Sequence, residues 1–163
     1  IPTLADAALD HLNQWFVRRS APYFKPFMVG LTARSLIRYW EMTGDTRVIP
    51  ALKIAAERIW VETWLPDAGA FMYINIDTKT LPVGSEGYDT GGKEPEPDLN
   101  MLIAPLYGFL YHVTGDPLYV ERGDQIFANG VRRAWLGGAK QFNQQYFWSF
   151  DYLKWRDQPV VRR

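Results

Sequence analysis

The chain has 163 residues, the length of one ordinary domain, and 47% of them are apolar against 22% charged, which is typical of a globular protein with a substantial core. Lysine and arginine balance aspartate and glutamate at 18 each, so the charge indicates neither nucleic acid nor an anionic membrane as a partner. The sequence has no cysteine, which excludes disulfides and thiolate metal sites, and no apolar run approaches the ~20 residues of a membrane span.

Aromatic residues make up an unusually large 15% of the chain. We expect most of them in the core, with some lining a groove where they stack on a flat apolar ligand such as a sugar ring. The chain begins IPTLAD, with neither an initiator methionine nor a signal peptide. We therefore expect residues 1–163 to be a single domain that was processed or excised from something longer.

The first predicted element is an amphipathic helix over residues 3–19. Thr3, with Asp6 three residues later, predicts a cap at its start. Because charged residues occupy the opposite face, we expect a helix of the outer surface. Its apolar stripe comprises Ala5, Ala8, Leu9, Leu12 and Phe16.

Two later segments, residues 27–65 and 98–136, share one plan at an offset of 71 residues. Each contains a TGD triplet, at 43–45 and at 114–116, and each closes on a Trp-Leu pair. Both features fall in one register without gaps, which indicates an internal repeat.

The TGD triplet predicts a tight turn between two helices. Gly44 and Gly115 can take the left-handed conformation that ends a helix. Asp45 and Asp116 can then accept backbone N–H bonds as N-caps of the next helix, and Pro117 stands where a first helical residue tolerates proline. Each segment is therefore predicted to be an αα-hairpin.

The two helices of each hairpin differ in their expected exposure. Residues 99–111 are almost entirely apolar or aromatic, which predicts burial on nearly every side, with a kink at Pro105. Residues 48–64 and 117–135 are amphipathic instead. The first helix of each hairpin is therefore predicted to be inner and the second outer.

The connections also differ between the two ends of the predicted hairpins. The TGD turns are minimal, whereas the long connections gather above the N-termini of the inner helices, and one of them holds a short strand-like run over residues 69–77. The segment 141–156 is open to two interpretations. Its alternating aromatic residues favour a strand, while its length also suits the next inner helix.

These features resemble the (α/α) toroid proteins of the six-hairpin glycosidase-like superfamily. The resemblance rests on alternating inner and outer helices, on the TGD turns, and on Trp64 followed by the run PDAGAFMY at 66–73. It covers most of the chain and implies an all-α fold of repeated αα-hairpins, a partial (α/α)6 toroid with a short β-hairpin or extended loop between hairpins. In relatives with this fold, which include glycoside hydrolases, polysaccharide lyases and sugar epimerases, the substrate lies in a funnel at the loop-rich end.

The resemblance also implies partners for this chain. A closed toroid needs about six hairpins, and a stack of fewer repeats leaves its end faces uncovered. Because this chain supplies between two and three, we expect additional hairpins from the same or another chain. Carbohydrate is the expected ligand, no cofactor is expected, and an extracellular or periplasmic location is favoured.

The segment GYDTGGKEPEPDLN, residues 87–100, concentrates carboxylates between two apolar stretches. Glu94, Glu96 and Asp98 alternate with prolines, which favour polyproline II geometry and direct side chains two residues apart in different directions. The segment also lacks EF-hand spacing, and the two histidines of the chain have no metal-site spacing. We therefore predict no metal site.

Asp98 directly precedes the apolar inner helix, and two interpretations are open. It is either an N-cap or a carboxylate at the funnel floor, where burial would raise its pKa for general-acid catalysis. A hydrolase needs a second carboxylate at a set separation, and Glu86, Asp89 and Glu96 are available. The predicted catalytic residues are Asp98, Glu96 and Asp89.

The predicted substrate-binding residues are polar or aromatic side chains near the loop-rich end: Tyr88, Asn100, Arg34, Trp64, Tyr73 and Tyr23. In a lyase, polar members of this set would neutralise a uronate carboxylate and provide a base. The aromatic members either pack in the core or stack on sugar. Arg34 continues into a polar stripe with Arg38 and Glu41, which predicts a surface facing the funnel or a buried ion pair.

No catalytic motif of a single family is present, so the sequence favours two functions of different classes. The first is a glycoside hydrolase or polysaccharide lyase. The alternative is a non-catalytic helical module that mediates assembly or binds glycans.

Overall fold

The computed structural model describes residues 2–84 and 92–161. Within these residues the chain is mostly helical, with six α-helices, two short 3₁₀ helices and one two-stranded sheet. None of these helices is both long and apolar enough to cross a membrane. The α-helices are α1 (Pro2–Phe16), α2 (Pro26–Thr43), α3 (Val48–Thr63), α4 (Ala104–Thr114), α5 (Pro117–Arg133) and α6 (Ala139–Asp157).

The sheet is a minimal antiparallel hairpin that follows α3 directly. Its strands are β1 (Trp64–Leu65) and β2 (Ala70–Phe71), so only the start of the predicted run over residues 69–77 pairs as a strand. The 3₁₀ helices, Thr78–Thr80 and Pro97–Leu102, lie in the connection from β2 to α4.

Helix α4 forms the centre of the molecule. It contacts α2, α3, α5 and α6, and residues 101–110 are all buried, as their apolar sequence predicts. The predicted kink at Pro105 is wrong. Pro97–Leu102 form a separate 3₁₀ helix and α4 begins at Ala104, so Pro105 lies in the first helical turn, where its missing N–H removes no hydrogen bond.

Helices α2 and α6 both pack on the central α4, while α1 contacts α2 and α3. Arg122 of α5 pairs with Glu57 of α3 at 2.9 Å and places its guanidinium 4.9 Å from the ring centroid of Trp60. Side chains of α3 and α5 therefore also meet.

The two TGD turns have the same hydrogen bonds. Gly44 and Gly115 are both left-handed, with φ of 68° and 72°. Thr43 and Thr114 each donate from the hydroxyl to a carbonyl four residues back and accept the N–H of the aspartate, at 3.3 and 3.2 Å. The sequence analysis assigned roles to the glycine and the aspartate and missed the threonine.

The aspartates of these turns differ in one respect. Asp116 caps α5 as predicted, accepting the Leu118 N–H at 3.0 Å. Asp45 accepts the N–H of Arg47 at 3.0 Å. However, α3 begins at Val48 and its N-cap residue is Arg47, so the predicted N-cap role of Asp45 is wrong.

Replacing Asp116 by alanine should lower the free energy of unfolding by about 1 kcal/mol, because the Leu118 N–H at the start of α5 loses its acceptor. Urea unfolding followed by circular dichroism measures the change. Asp116→Asn is the matched control, since its amide oxygen can accept the same bond. Equal losses in both variants would contradict the capping role.

The first and last helices bear on two further predictions, the cap at Thr3 and the conformation of residues 141–156. Helix α1 begins at Pro2, so Thr3 lies inside the helix and the predicted cap is wrong. Helix α6 covers Ala139–Asp157, so residues 141–156, for which a strand and a helix were both open, form a helix. Its close approach to α4 occurs at Gly108, where an added Cβ would lie 3.1 Å from the Tyr152 ring and 3.3 Å from Trp155.

Candidate functional site

The N-terminal ends of α2, α4 and α6 meet the β-hairpin and the longer connections at one end of the molecule, the loop-rich end. Here Gly30 of α2 packs on the backbone of Leu102, and Gln145 of α6 donates a hydrogen bond to the backbone carbonyl of Asp98. Phe24 and Asn75 exchange hydrogen bonds of 2.8 and 3.2 Å, which tie the α1–α2 connection to the chain after β2. The TGD turns lie at the opposite end.

The acidic segment is held to this end by backbone hydrogen bonds from residue 92 onwards. The Tyr73 N–H donates to the Glu94 carbonyl at 3.0 Å, and the Glu96 N–H donates to the Phe71 carbonyl at 2.9 Å. A β-bridge joins Met72 to the same segment. The backbone of Glu96 is therefore fixed beside β2.

The carboxyl groups of Glu96 and Asp98 lie close to each other. Burial, and after it the neighbouring Asp98 carboxyl group, raise the pKa of Glu96 above its ordinary 4.5, because both disfavour the charged form of Glu96. The sequence argument that side chains two residues apart diverge here is wrong. Pro97 starts a 3₁₀ helix, which turns Asp98 back towards Glu96.

The proximity of Glu96 and Asp98 limits their chemistry. The two carboxyl groups of a glycosidase are about 5–10 Å apart and act separately, whereas Asp98 lies close enough to Glu96 to raise the pKa of Glu96. Hydrolysis would therefore need a further carboxylate besides these two. Asp89 and Glu86 lie outside the described residues.

The predicted N-cap role of Asp98 is wrong. Asp98 lies inside the 3₁₀ helix Pro97–Leu102, whose N-cap residue is Glu96, and no side-chain capping bond is made there. The backbone carbonyl of Asp98 accepts the hydrogen bond from Gln145 Nε2 instead, while its half-buried side chain faces Glu96.

Glu96→Gln should flatten the pH dependence of stability on the acid side of neutrality. Because the pKa of Glu96 is raised in the folded state, the wild-type protein loses stability as pH rises from below 4.5 through the raised value. Glutamine removes this loss. Urea unfolding at a series of pH values measures it, with the exposed Glu94→Gln as the control that keeps the wild-type slope. The same slope in both variants would overturn the assignment.

Asn100 is fully buried, and its side-chain amide forms hydrogen bonds with backbone groups. Oδ1 accepts the Phe71 N–H at 3.3 Å, and Nδ2 donates to the carbonyls of Gly69 and Ile126 at 2.9 and 3.5 Å. These bonds join the β-hairpin to the 3₁₀ helix and α5. This placement favours a structural role over the predicted contact with substrate.

The predicted aromatic residues divide between packing and partial exposure. Trp64 stacks on Trp60 with centroids 4.6 Å apart and packs against the core. Tyr73 is half-buried, lies 5.5 Å from Phe27 and has the Lys25 ammonium 5.2 Å from its centroid. Tyr23 is half-buried in the same α1–α2 connection as Lys25. Tyr88 lies outside the described residues.

Arg34 forms an ion pair, one of the two alternatives for its polar stripe. Its Nε donates to Asp151 at 2.8 Å, and its guanidinium lies 4.4 Å from the ring centroid of Phe147 and 4.7 Å from that of Trp148. Arg38 reaches the same carboxylate at 3.2 Å. These contacts join α2 to α6, and sequence reasoning missed Asp151 because 141–156 was not yet assigned to a helix.

A groove of about 610 Å³ lies between α1 and α3 and contains none of the predicted site residues. Its carboxylates, Asp6 and Asp10, are paired with Arg47 and Arg18. Among residues 2–84 and 92–161, no group of three acidic or histidine side chains is arranged to hold a metal ion.

Comparisons with protein-family models, with curated proteins and with solved structures give no match for this chain.

Proposed function

We propose that this chain is part of an (α/α) toroid whose loop-rich end acts on carbohydrate, as a glycoside hydrolase or a polysaccharide lyase. Two features support the toroid: the contacts of α2 and α6 with the central α4, and the common hydrogen bonding of the turns after α2 and α4. Further hairpins, from the same or another chain, would complete the ring and are the expected partner.

The observation that carries the proposed activity is the partly buried Glu96 beside Asp98 at the loop-rich end. Because its pKa is raised, Glu96 keeps its proton to a higher pH than an ordinary glutamic acid, as a general acid requires. In a hydrolase Glu96 would donate this proton to the leaving glycosidic oxygen. A second carboxylate would then activate water or attack the anomeric carbon, and Asp89 is the candidate from the sequence.

Sugar binding beside this pair would use Tyr73. Its half-buried ring lies on the backbone segment that holds the acidic residues, since its N–H bonds to Glu94. An aromatic face next to a proton donor suits a sugar ring, which stacks through its C–H groups while its hydroxyls hydrogen-bond at the edge.

The test compares the wild-type chain with Glu96→Gln and with the matched control Glu94→Gln on a glycan array and in assays of turnover. Reducing-end release detects hydrolysis, and the ultraviolet absorbance of unsaturated uronates detects lyase activity. We expect Glu96→Gln to reduce turnover by at least about 100-fold, the contribution of a general acid, while Glu94→Gln keeps it. Absence of both binding and turnover on every glycan would overturn the proposal.

One observation favours a second candidate, the non-catalytic helical module. Asp151 of α6 binds both Arg34 and Arg38 of α2, so side chains join these helices on the face where a funnel would need open space. For this alternative we expect glycan or protein binding without turnover, and binding that Glu96→Gln leaves unchanged.

A further inference from the structure

A small groove lies between the C-terminal end of α5, the N-terminal half of α6 and the 3₁₀ helix Pro97–Leu102. Its volume is about 200 Å³, below the 300–1,000 Å³ of sites for drug-sized ligands. It therefore has room for about one planar ring system. Its walls are largely apolar or aromatic and include Met101, Val131, Leu136, Phe142 and Tyr146.

Gln145 also lines this groove, and its side chain has an unpaired acceptor. The residue is 6% exposed, and its Nε2 donates to the backbone carbonyl of Asp98. Its Oε1 is buried and accepts no hydrogen bond within the described chain. A buried acceptor without a donor destabilises the folded state, so a ligand that brings one donor to this oxygen gains affinity.

Two aromatic rings give the groove a flat wall. Phe142 and Tyr146 are one helical turn apart on α6 and stack at 6.0 Å with an angle of 12° between their planes. Both remain about half exposed, at 47% and 61%. Such rings favour stacking or edge contact with another aromatic ring.

The small number of free hydrogen-bonding groups in the groove favours an aromatic ligand over a sugar. Gln145 Oε1 is its one unpaired buried acceptor among the described side chains, and the Ser149 hydroxyl already donates to the Tyr146 carbonyl at 2.7 Å. A sugar brings many hydroxyls, most of which would lose their partners against apolar walls. A planar aromatic molecule with one N–H or O–H loses none.

We propose that this groove binds a small planar aromatic molecule with a single hydrogen-bond donor, of the indole or phenol type, and that the donor bonds to Gln145 Oε1. The inference is independent of the proposed carbohydrate activity, because Glu96 and Asp98 do not line the groove. Either can fail while the other stands.

The experiment compares indole with benzothiophene, which has the same shape and lacks the N–H, by isothermal titration and saturation-transfer NMR on the whole chain. We expect indole to bind about tenfold more tightly, the effect of one hydrogen bond to an otherwise unpaired acceptor. Gln145→Met keeps the side-chain length and removes the acceptor, so it should bind both probes equally. Gln144→Met, at the neighbouring residue, which does not line the groove, should keep the tenfold preference.

Val131→Trp provides a second test, which does not depend on Gln145. Val131 is 58% exposed on α5, so a larger side chain is tolerated there and fills the groove. It should abolish binding of both probes. Equal affinity of the wild-type protein for indole and benzothiophene, no binding of either, or an unchanged preference in Gln145→Met would each overturn the proposal.

Discussion

Gly30→Ala should lower the free energy of unfolding by about 2 kcal/mol net, from a cost of about 3 kcal/mol, the upper range for overpacking a close contact. A Cβ at this position would meet the carbonyl oxygen of Leu102 and lie 2.9 Å from its carbonyl carbon. Both atoms belong to the backbone of the 3₁₀ helix that precedes α4, so relief requires two main-chain segments to separate. This cost opposes the gain of about 1 kcal/mol that alanine normally brings to a helix interior.

Gly130→Ala is the matched control, because its new Cβ would also meet a close neighbour. That neighbour is the Met101 sulfur, at 2.8 Å. A thioether side chain can turn aside, so we expect the control to change stability by less than about 1 kcal/mol. Chemical unfolding of both variants measures the difference. If Gly30→Ala is as stable as the wild type, α2 and the 3₁₀ helix are not in contact as described.

Much of the helical framework could be predicted from local sequence. The amphipathic pattern predicted a helix over 48–64 and the structure has Val48–Thr63, since the pattern reports one buried face. The left-handed glycines at 44 and 115 were predictable because few other residues tolerate that conformation. These features depend on neighbours within one or two turns, which a sequence displays directly.

The features that local sequence did not predict depend on distant contacts. Aromatic residues suit strands and buried helices alike, and the packing of residues 141–156 against α4 is not visible in the local sequence. The bond from Arg34 joins it to Asp151, 117 residues away. Gly30 showed no sign in the sequence of its approach to Leu102.

The sequence could name residues of the candidate site but could not give their positions relative to one another. The sequence named Glu96 and Asp98 but predicted that they diverge, because it extended the proline-rich conformation through both residues. The 3₁₀ helix starting at Pro97 reverses that direction and brings the Asp98 carboxyl group close enough to raise the pKa of Glu96. Asn100 was named for the same segment, and its burial depends on the fold of the hairpin 29 and 31 residues away.

Asn100→Ala should destabilise the protein by about 3 kcal/mol. The change leaves the Phe71 N–H and the Gly69 carbonyl without their partner at a fully buried position, and each unpaired buried group costs about 1–3 kcal/mol. Because these bonds hold the β-hairpin beside the 3₁₀ helix, hydrogen exchange at the Phe71 amide should accelerate with the global loss. Urea unfolding and amide exchange together measure the effect.

Asn129→Ala is the control for this change, because its half-buried amide donates to a carbonyl of its own helix, that of Gln125, at 2.9 Å. We expect it to alter stability by no more than about 0.5 kcal/mol. The comparison then distinguishes the structural role of Asn100 from the predicted substrate-binding role. A structural amide loses stability in Asn100→Ala at any glycan concentration, whereas a substrate-binding amide would leave the folded protein intact and weaken only glycan binding. A stable Asn100→Ala variant with reduced glycan affinity would therefore restore the substrate role that burial argues against.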